Sequence, residues 1–310
     1  MIFKRDYRLF IGPEASIFVP GAIQPLDDGQ VLVDAVVIRP DADLSFEITK
    51  TAKKEINSVK FTIYGLSQQS REKIAQDQYV YFQAGYENNM STLFVGTVSN
   101  TLSYFNGTEY ITVVEAGDGY VQTREGYISR SFGKGVRVIT IVSEIITRMG
   151  LTIGVFDNRI EGVDQEERIG KGLNRQYLNG YTAQGNTYQL VSKVCEDNGL
   201  AFFIEDERAN IFPVESTTGE SALILNKELG LIGSPQPMSR NTSKRKGSEG
   251  DPDKGVVFSS LLNPNIRLSR KIELTSKNYP DGVVLEPLKI IHRGSYRGTD
   301  WDTVAEAKIL

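Results

Sequence analysis

The feature that most constrains this chain is a stretch that it contains twice. Ser103-Tyr104-Phe105-Asn106-Gly107-Thr108-Glu109-Tyr110-Ile111-Thr112-Val113-Val114-Glu115-Ala116 is echoed by Ser295-Tyr296-Arg297-Gly298-Thr299-Asp300-Trp301-Asp302-Thr303-Val304-Ala305-Glu306-Ala307. With one gap before the glycine, Ser, Tyr, Gly, Thr, Thr, Val, Glu and Ala coincide, Glu109 faces Asp300 and Tyr110 faces Trp301. Each copy reads as a strand, a tight turn and a returning strand that opens on a bulky aromatic. Asn106 and Gly107 both tolerate positive φ, which predicts a type I′ turn. The echo continues upstream: Leu93–Val98 precedes one copy and Leu285–Ile291 the other, and Val59-Lys60-Phe61 corresponds to Val256-Val257-Phe258. Two hairpins can share turn residues by chance, but the upstream match favours one β unit used twice.

The stretches around the copies fit that reading. Residues 1–120 are β-rich: Val31–Ile38 is apolar and β-branched, and Leu44, Phe46 and Ile48 alternate with Ser45, Glu47 and Thr49, as in a strand with one wet face. Val59, Phe61 and Ile63 repeat the pattern, and strands are expected near Tyr79–Tyr86, Thr92–Tyr104 and Glu109–Glu115. Ser67 is placed to cap a short helix. From 121 to about 220 the period changes. Val138, Ile141, Val142, Ile145 and Met149 fall at helical spacing and Gly150 stops them, while Asn186 is positioned to cap a second helix with Tyr188, Val191, Val194 and Cys195 inward. Leu200–Ile204 and Asn210–Val214 predict a hairpin around Glu205–Ala209. The stretches Asp157–Arg175 and Ser239–Lys254 are polar and predicted as loops. Strands resume from Val256. The expected class is α+β, mainly β: two similar β-barrel-like tube domains at 1–120 and 221–310 flanking a small α/β insert at 121–220.

Few residues invite chemistry. The 310 residues hold one histidine, His292, and one cysteine, Cys195, far apart in sequence. That excludes a disulfide framework and a Cys-rich zinc site, and Cys195 falls on the apolar face of a helix. Glu196, Asp197, Glu205, Asp206 and Glu207 form the densest acidic cluster. They fall at a helix end and a hairpin turn, both expected to be wet. Gly133-Lys134-Gly135 and Gly170-Lys171-Gly172 lack the spacing of a phosphate loop, and Asp41-Ala42-Asp43 and Asp251-Pro252-Asp253 lack the other ligands of a calcium loop. No catalytic, cofactor-binding or metal-binding residue is assigned, and no enzyme activity is expected. A net charge of −4 argues against tight binding to duplex nucleic acid. The N-terminus shows no secretory h-region and no run reaches the roughly 20 apolar residues of a membrane span, so synthesis in a cytoplasm without a membrane span is expected.

Several motifs resemble the tail hub (baseplate hub) proteins of contractile-tailed bacteriophages. They are Leu229–Pro235, Phe258–Ile266, Ile290–Gly294 running through Trp301 to Ala307, and Tyr181–Gly185 followed by a helix and Gly199–Phe203. The resemblance spans roughly residues 55–310 and carries no catalytic residues to transfer. It implies a homotrimer in which each chain contributes two similar tube domains. The resulting six-unit ring would join a sixfold tail tube, or its initiator protein, to a threefold central spike. It further implies other baseplate proteins as partners, a virion tail-baseplate location, and a channel through which DNA passes without specific binding. In that setting channel-facing side chains are expected to be polar or acidic, and strand edges to pair with neighbours. Tyr104, Tyr110, Tyr296 and Trp301 are the candidate interface residues; their other reading is as core residues of each unit. Other readings are the hub of a phage-derived contractile injection machine, a tail-associated cell-wall hydrolase and a glycan-binding module.

Overall fold

The computed structural model describes residues 4–17, 34–52, 55–87, 89–156, 172–214, 221–239 and 254–310. Val31–Val33, the loop stretches 157–171 and 240–253, and the Asp251-Pro252-Asp253 motif lie outside the described residues.

In the first part, β1 (Arg5–Gly12), α1 (Glu14–Ile17) and β2 (Val36–Ile38) are followed by β3 (Asp43–Thr51), β4 (Ser58–Tyr64) and α2 (Gln68–Lys73). Three long strands complete it: β5 (Tyr79–Tyr86), β6 (Asn89–Phe105) and β7 (Tyr110–Gly117). Ser67 caps α2 by accepting a hydrogen bond from the Ser70 N–H. The insert comprises α3 (Tyr120–Glu125), β8 (Tyr127–Phe132), β9 (Val136–Arg137), α4 (Val138–Met149), β10 (Thr152–Phe156), β11 (Gln176–Tyr177) and β12 (Tyr181–Asn186). It closes with α5 (Thr187–Asp197), β13 (Leu200–Glu205) and β14 (Arg208–Pro213). Both main helices obey their sequence signals. Gly150 ends α4 at φ 77°, and the Asn186 side chain accepts from the Gln189 N–H at the start of α5, satisfying one of the donors a helix start leaves orphaned. The third part holds β15 (Leu223–Leu225), β16 (Leu231–Ser239), β17 (Lys254–Leu261), β18 (Ile272–Leu274), β19 (Val283–Ser295) and β20 (Trp301–Ile309).

The first and third parts do not form separate sheets. One 13-stranded sheet runs β16-β17-β20-β19-β3-β4-β7-β6-β5-β1-β2, with β18 and β15 attached beside β19. Its central seam is an antiparallel pairing of β19 with β3, from Lys289↔Thr51 to Ser295↔Ser45. Beyond β6 the sheet folds back, so Tyr7, Leu9 and Ile11 of β1 share one core with Phe46, Phe61 and Phe82. A second core lies inside the insert, where Ile141, Val142 and Ile145 of α4 meet Val191 and Val194 of α5 over Ile211. A third joins Val256, Phe258, Ile290 and Ala305 to Phe203 and Phe212 from the insert hairpin. Fully burying a ring such as Phe61 or Phe258 contributes roughly 2–3 kcal/mol.

The repeat is visible as matching register. Val59 pairs with Ala116 and Phe61 with Val114; Val256 pairs with Ala307 and Phe258 with Ala305. These are the correspondences that the sequence echo predicts for the returning arm. The outgoing arm is different. Thr112 faces Ser103 and Tyr110 faces Phe105, whereas Thr303 faces His292 and Trp301 faces Gly294. Ser103 is therefore matched by His292, not Ser295, and Tyr104 by Arg293, not Tyr296, because the second hairpin has the longer loop. The turn prediction also needs correction. Gly107 has φ 97° but Asn106 is not left-handed; the Asn106 side chain instead accepts from the N–H groups of Thr108 and Glu109, both at 2.9 Å. The two-residue turn with both φ positive occurs at Asp206 and Glu207, φ 53° and 59°.

Candidate assembly surface

Strand order and register define one wet face across the eight strands β16 to β6. Reading across it, Asp302 lies opposite Arg293, Arg293 opposite Glu47, Glu47 opposite Lys60, Lys60 opposite Glu115 and Glu115 opposite Asn100. Directly opposed side chains on one face lie within interaction range, so this row alternates in sign. Arg293 donates from Nε to Asp302 Oδ1 at 2.8 Å and from Nη2 to Oδ2 at 3.0 Å, and Asp302 raises the guanidinium pKa, assisted by Asp300 and Glu47. Four residues along the strands, Lys289 and Glu306 approach to 3.9 Å. The row thus has three carboxylates and two cations, and each cation sits between carboxylates.

Both ends of this eight-stranded run are open edges among the described residues. β16 pairs only with β17, and its Pro235 and Pro237 suit an edge position. β6 pairs with β5 as far as Thr97 and with β7 from Thr97 to Phe105, so the outer edge from Asn100 to Phe105 has no strand partner. Large apolar side chains are exposed at these edges: Leu102, Tyr104, Phe105 and Tyr110 on the first hairpin, and Leu229 and Ile232 at the start of β16.

The four aromatic candidates separate into two pairs. Tyr104 and Tyr110 are solvent-facing, 45% and 42% exposed. Phe105 lies 5.3 Å from Tyr110, and the Arg71 guanidinium covers the same ring at 3.5 Å. Trp301, by contrast, is 4% exposed, donates from its indole nitrogen to the Gly85 carbonyl at 3.1 Å and stacks edgewise on Phe46 across the seam at 5.4 Å. Tyr296 packs edgewise on Tyr7 at 5.3 Å. Arg5 holds the second hairpin tip by donating to the carbonyls of Ser295, Gly298 and Thr299 at 2.7–2.8 Å. Trp301 and Tyr296 are therefore used within the chain, whereas Tyr104 and Tyr110 face outward.

The acidic cluster needs a correction. Glu196 and Asp197 are exposed, as expected at a helix end, but the turn Glu205–Glu207 is drawn in against the main sheet, with Glu207 buried and Glu205 and Asp206 half-buried. Asp118 accepts the Asp206 and Glu207 N–H groups at 2.6 and 2.8 Å. Glu207 in turn accepts from the Gly119 N–H and the Gln122 amide. Lys50 donates to Glu205 at 3.1 Å and to Asp206 at 3.4 Å, and Asn57 donates to the Ile204 carbonyl at 2.7 Å. Burial raises the carboxyl pKa of Asp118, Glu205 and Glu207, the last to about 7. Burial alone would lower the Lys50 ammonium, but Asp206, Glu205 and Asp118 outweigh it and hold its pKa up. This arrangement is a joint between insert and sheet, with the turn amides and carboxylates satisfied on both sides. Its sequence signal is Lys50 itself, which continues the core-facing alternation Leu44, Phe46, Ile48.

His292 lies beside this joint, 1% exposed, with Nδ1 2.8 Å from the Thr303 hydroxyl; burial, then Lys50, lowers its pKa to about 3. Cys195 is buried, with its thiol pushed up to about 12. Among the described residues no group of three His, Cys, Asp or Glu side chains is arranged to hold a metal ion, and no helix is long and apolar enough to cross a membrane.

The fold is shared with solved tail proteins of phages and prophages. The chain is similar to the 43 kDa tail protein of prophage MuSo2 from Shewanella oneidensis, with TM-score 0.61, 8% identity, and 88% of this chain and 96% of that one covered. It is similar to a tail protein from Neisseria meningitidis MC58, with TM-score 0.63, 7% identity, and 97% and 96% covered. An E. coli component of the type VI secretion system, itself described as similar to T4 bacteriophage tail proteins, matches with TM-score 0.56, 11% identity, and 95% and 76% covered. No protein-family profile matches the chain and no curated protein sequence does. At these identities the likeness establishes a shared fold.

Proposed function

We propose that this chain is a structural hub of a contractile phage tail, a trimeric adaptor between a sixfold tail tube and a threefold central spike. The observation that carries the reading is the eight-stranded run β16-β17-β20-β19-β3-β4-β7-β6. It presents the same four-strand order twice in one chain and ends in two open edges. An antiparallel sheet with complementary open edges closes when copies add head to tail around a rotation axis. Three copies would give six similar units, matching a sixfold tube while keeping threefold symmetry toward a spike. The division into tube domains at 1–120 and 221–310 and an insert at 121–220 belongs to this proposal. The cores support it with two qualifications: Leu262 and Trp301 from the third part pack into the first core, and Phe203 and Phe212 from the insert pack into the third. The insert, jointed at Asp118 and Glu205–Glu207, would meet other baseplate proteins.

The wet face is the proposed channel wall. Its alternating charge row, with one carboxylate in excess, offers a sliding polyanion no unpaired cluster of cations, and so no cooperative release of counterions to drive binding. The role is mechanical, and no catalytic step is assigned. The likeness to a type VI secretion component favours one second reading, the same hub in a contractile injection machine rather than a virion. Native mass measurement and electron-microscopy class averages of the purified protein, alone and with tube and spike proteins, test the assembly. Hollow six-lobed rings of three chains are expected. Chains that stay monomeric in every mixture would refute the hub.

A further inference from the structure

The seam inside one chain is a template for the seam between chains. In strand order, β3-β4-β7-β6 and β16-β17-β20-β19 are equivalent, and within the chain β19 of the second unit pairs with β3 of the first. By the same equivalence, the open edge of β6 faces a strand matching β3, which is β16. Resting on the trimeric reading, we infer that β6 of one copy pairs antiparallel with β16 of the next, in the register that β19 and β3 display.

Register can be transferred residue by residue. Arg293 corresponds to Tyr104, because each lies opposite the second residue of its returning strand, Asp302 and Ile111. Glu47 corresponds to Gln236, because Glu47 pairs with Lys60 and Gln236 with Val257, the matching positions of β4 and β17. The Arg293↔Glu47 pair within the chain thus becomes Tyr104↔Gln236 between copies.

Side-chain volume supports the transfer. In the internal seam a large residue on one strand, Phe46, meets a glycine on the other, Gly294. A Cβ on Gly294 would lie 2.5 Å from the Phe46 ring and 2.7 Å from Trp301. At the open edges the sizes are exchanged. The counterpart of Gly294 is Phe105, and the counterpart of Phe46 falls in the irregular segment Gly233-Ser234-Pro235 of β16, between Ile232 and Gln236, where Pro235 is buried. A bulky residue again meets a segment with no side chain larger than proline. Pairing would cover Phe105, 55% exposed, and Ile232, 44% exposed. It would also place Tyr110 where its counterpart Trp301 is already covered. Pro235 and Pro237 reduce the donors that β16 can offer, so this seam relies more on apolar contact than the internal one. Leu102 and Tyr104 on the facing strand supply it.

The test is a paired-cysteine chain, Tyr104→Cys with Gln236→Cys. Both positions are exposed, and the one native thiol is buried. Oxidation should convert the protein to a covalent closed trimer on a non-reducing gel. The shifted pair Leu102→Cys with Gln236→Cys should stay uncrosslinked, since a disulfide needs Cβ atoms roughly 3.5–4.5 Å apart. Unchanged Trp301 fluorescence would certify folding of both variants. Trimeric mass without a crosslink, or crosslinking of the shifted pair alone, overturns this seam and leaves the hub reading standing. Monomeric mass together with no crosslink overturns both.

Discussion

The pH profile of stability should shift in opposite directions, relative to wild type, in two single variants. His292, whose pKa is lowered from an ordinary 6.5 to about 3, takes up its proton in the unfolded chain before the folded one. Between those two values acidification therefore favours unfolding, by about 2 kcal/mol at pH 5 relative to pH 8. Glu207, raised from 4.5 to about 7, binds its proton more tightly in the folded chain. Acidification through that window favours folding, by about 2–3 kcal/mol over the same interval. Asp118, Glu205 and Glu286 are shifted in the same direction as Glu207 and add to it. His292→Gln retains a polar partner for Thr303 and removes only the opposing effect, so its stability should rise by about 2 kcal/mol from pH 8 to pH 5 relative to wild type. Glu207→Gln should fall by a similar amount relative to wild type. Urea unfolding at pH 5, 6, 7 and 8 measures both, read from the fluorescence of the chain's one tryptophan, Trp301, which is buried. If the His292→Gln profile runs parallel to wild type throughout, the imidazole is not held neutral by the fold and the reasoning fails.

Other expectations follow from packing. Gly294→Ala should destabilise the chain by about 1–3 kcal/mol in urea unfolding, since overpacking forces Phe46 and Trp301 aside. Trp301→Ala should cost about 3–5 kcal/mol, measured by circular dichroism, whereas Tyr110→Ala, at the matched but exposed position, should change monomer stability by less than about 1 kcal/mol and weaken ring formation. Asn186→Ala should cost about 1 kcal/mol by removing the α5 cap. Cys195 should resist thiol reagents at pH 8 in the folded protein and react at once in denaturant, because burial pushes its thiol pKa to about 12.

What the sequence determined by itself was local or periodic. The alternation of Leu44, Phe46 and Ile48 dictated a one-sided strand; Gly150 and Asn186 dictated where two helices end and begin; and the echo of Val59–Phe61 in Val256–Phe258 dictated a repeated unit. These are legible because capping and side-chain alternation depend on residues a few positions apart. Tertiary structure decided which strands are neighbours and what each face meets. Nothing within ten residues of Tyr110 or Trp301 says that the second is covered by Phe46 and Gly85 while the first is open. The β19–β3 seam and the approach of β5 make them unequal. The acidic turn at Glu205–Glu207 is expected to be wet because hairpin turns usually are; it is largely withdrawn from water, with Glu207 buried, because Asp118 and Lys50, distant in sequence, converge on it. Even the repeat kept its register only on the returning arm. A longer loop slid the outgoing strand by three positions, and it is hydrogen-bonding to a strand's neighbours, rather than identity along the chain, that sets which residues correspond.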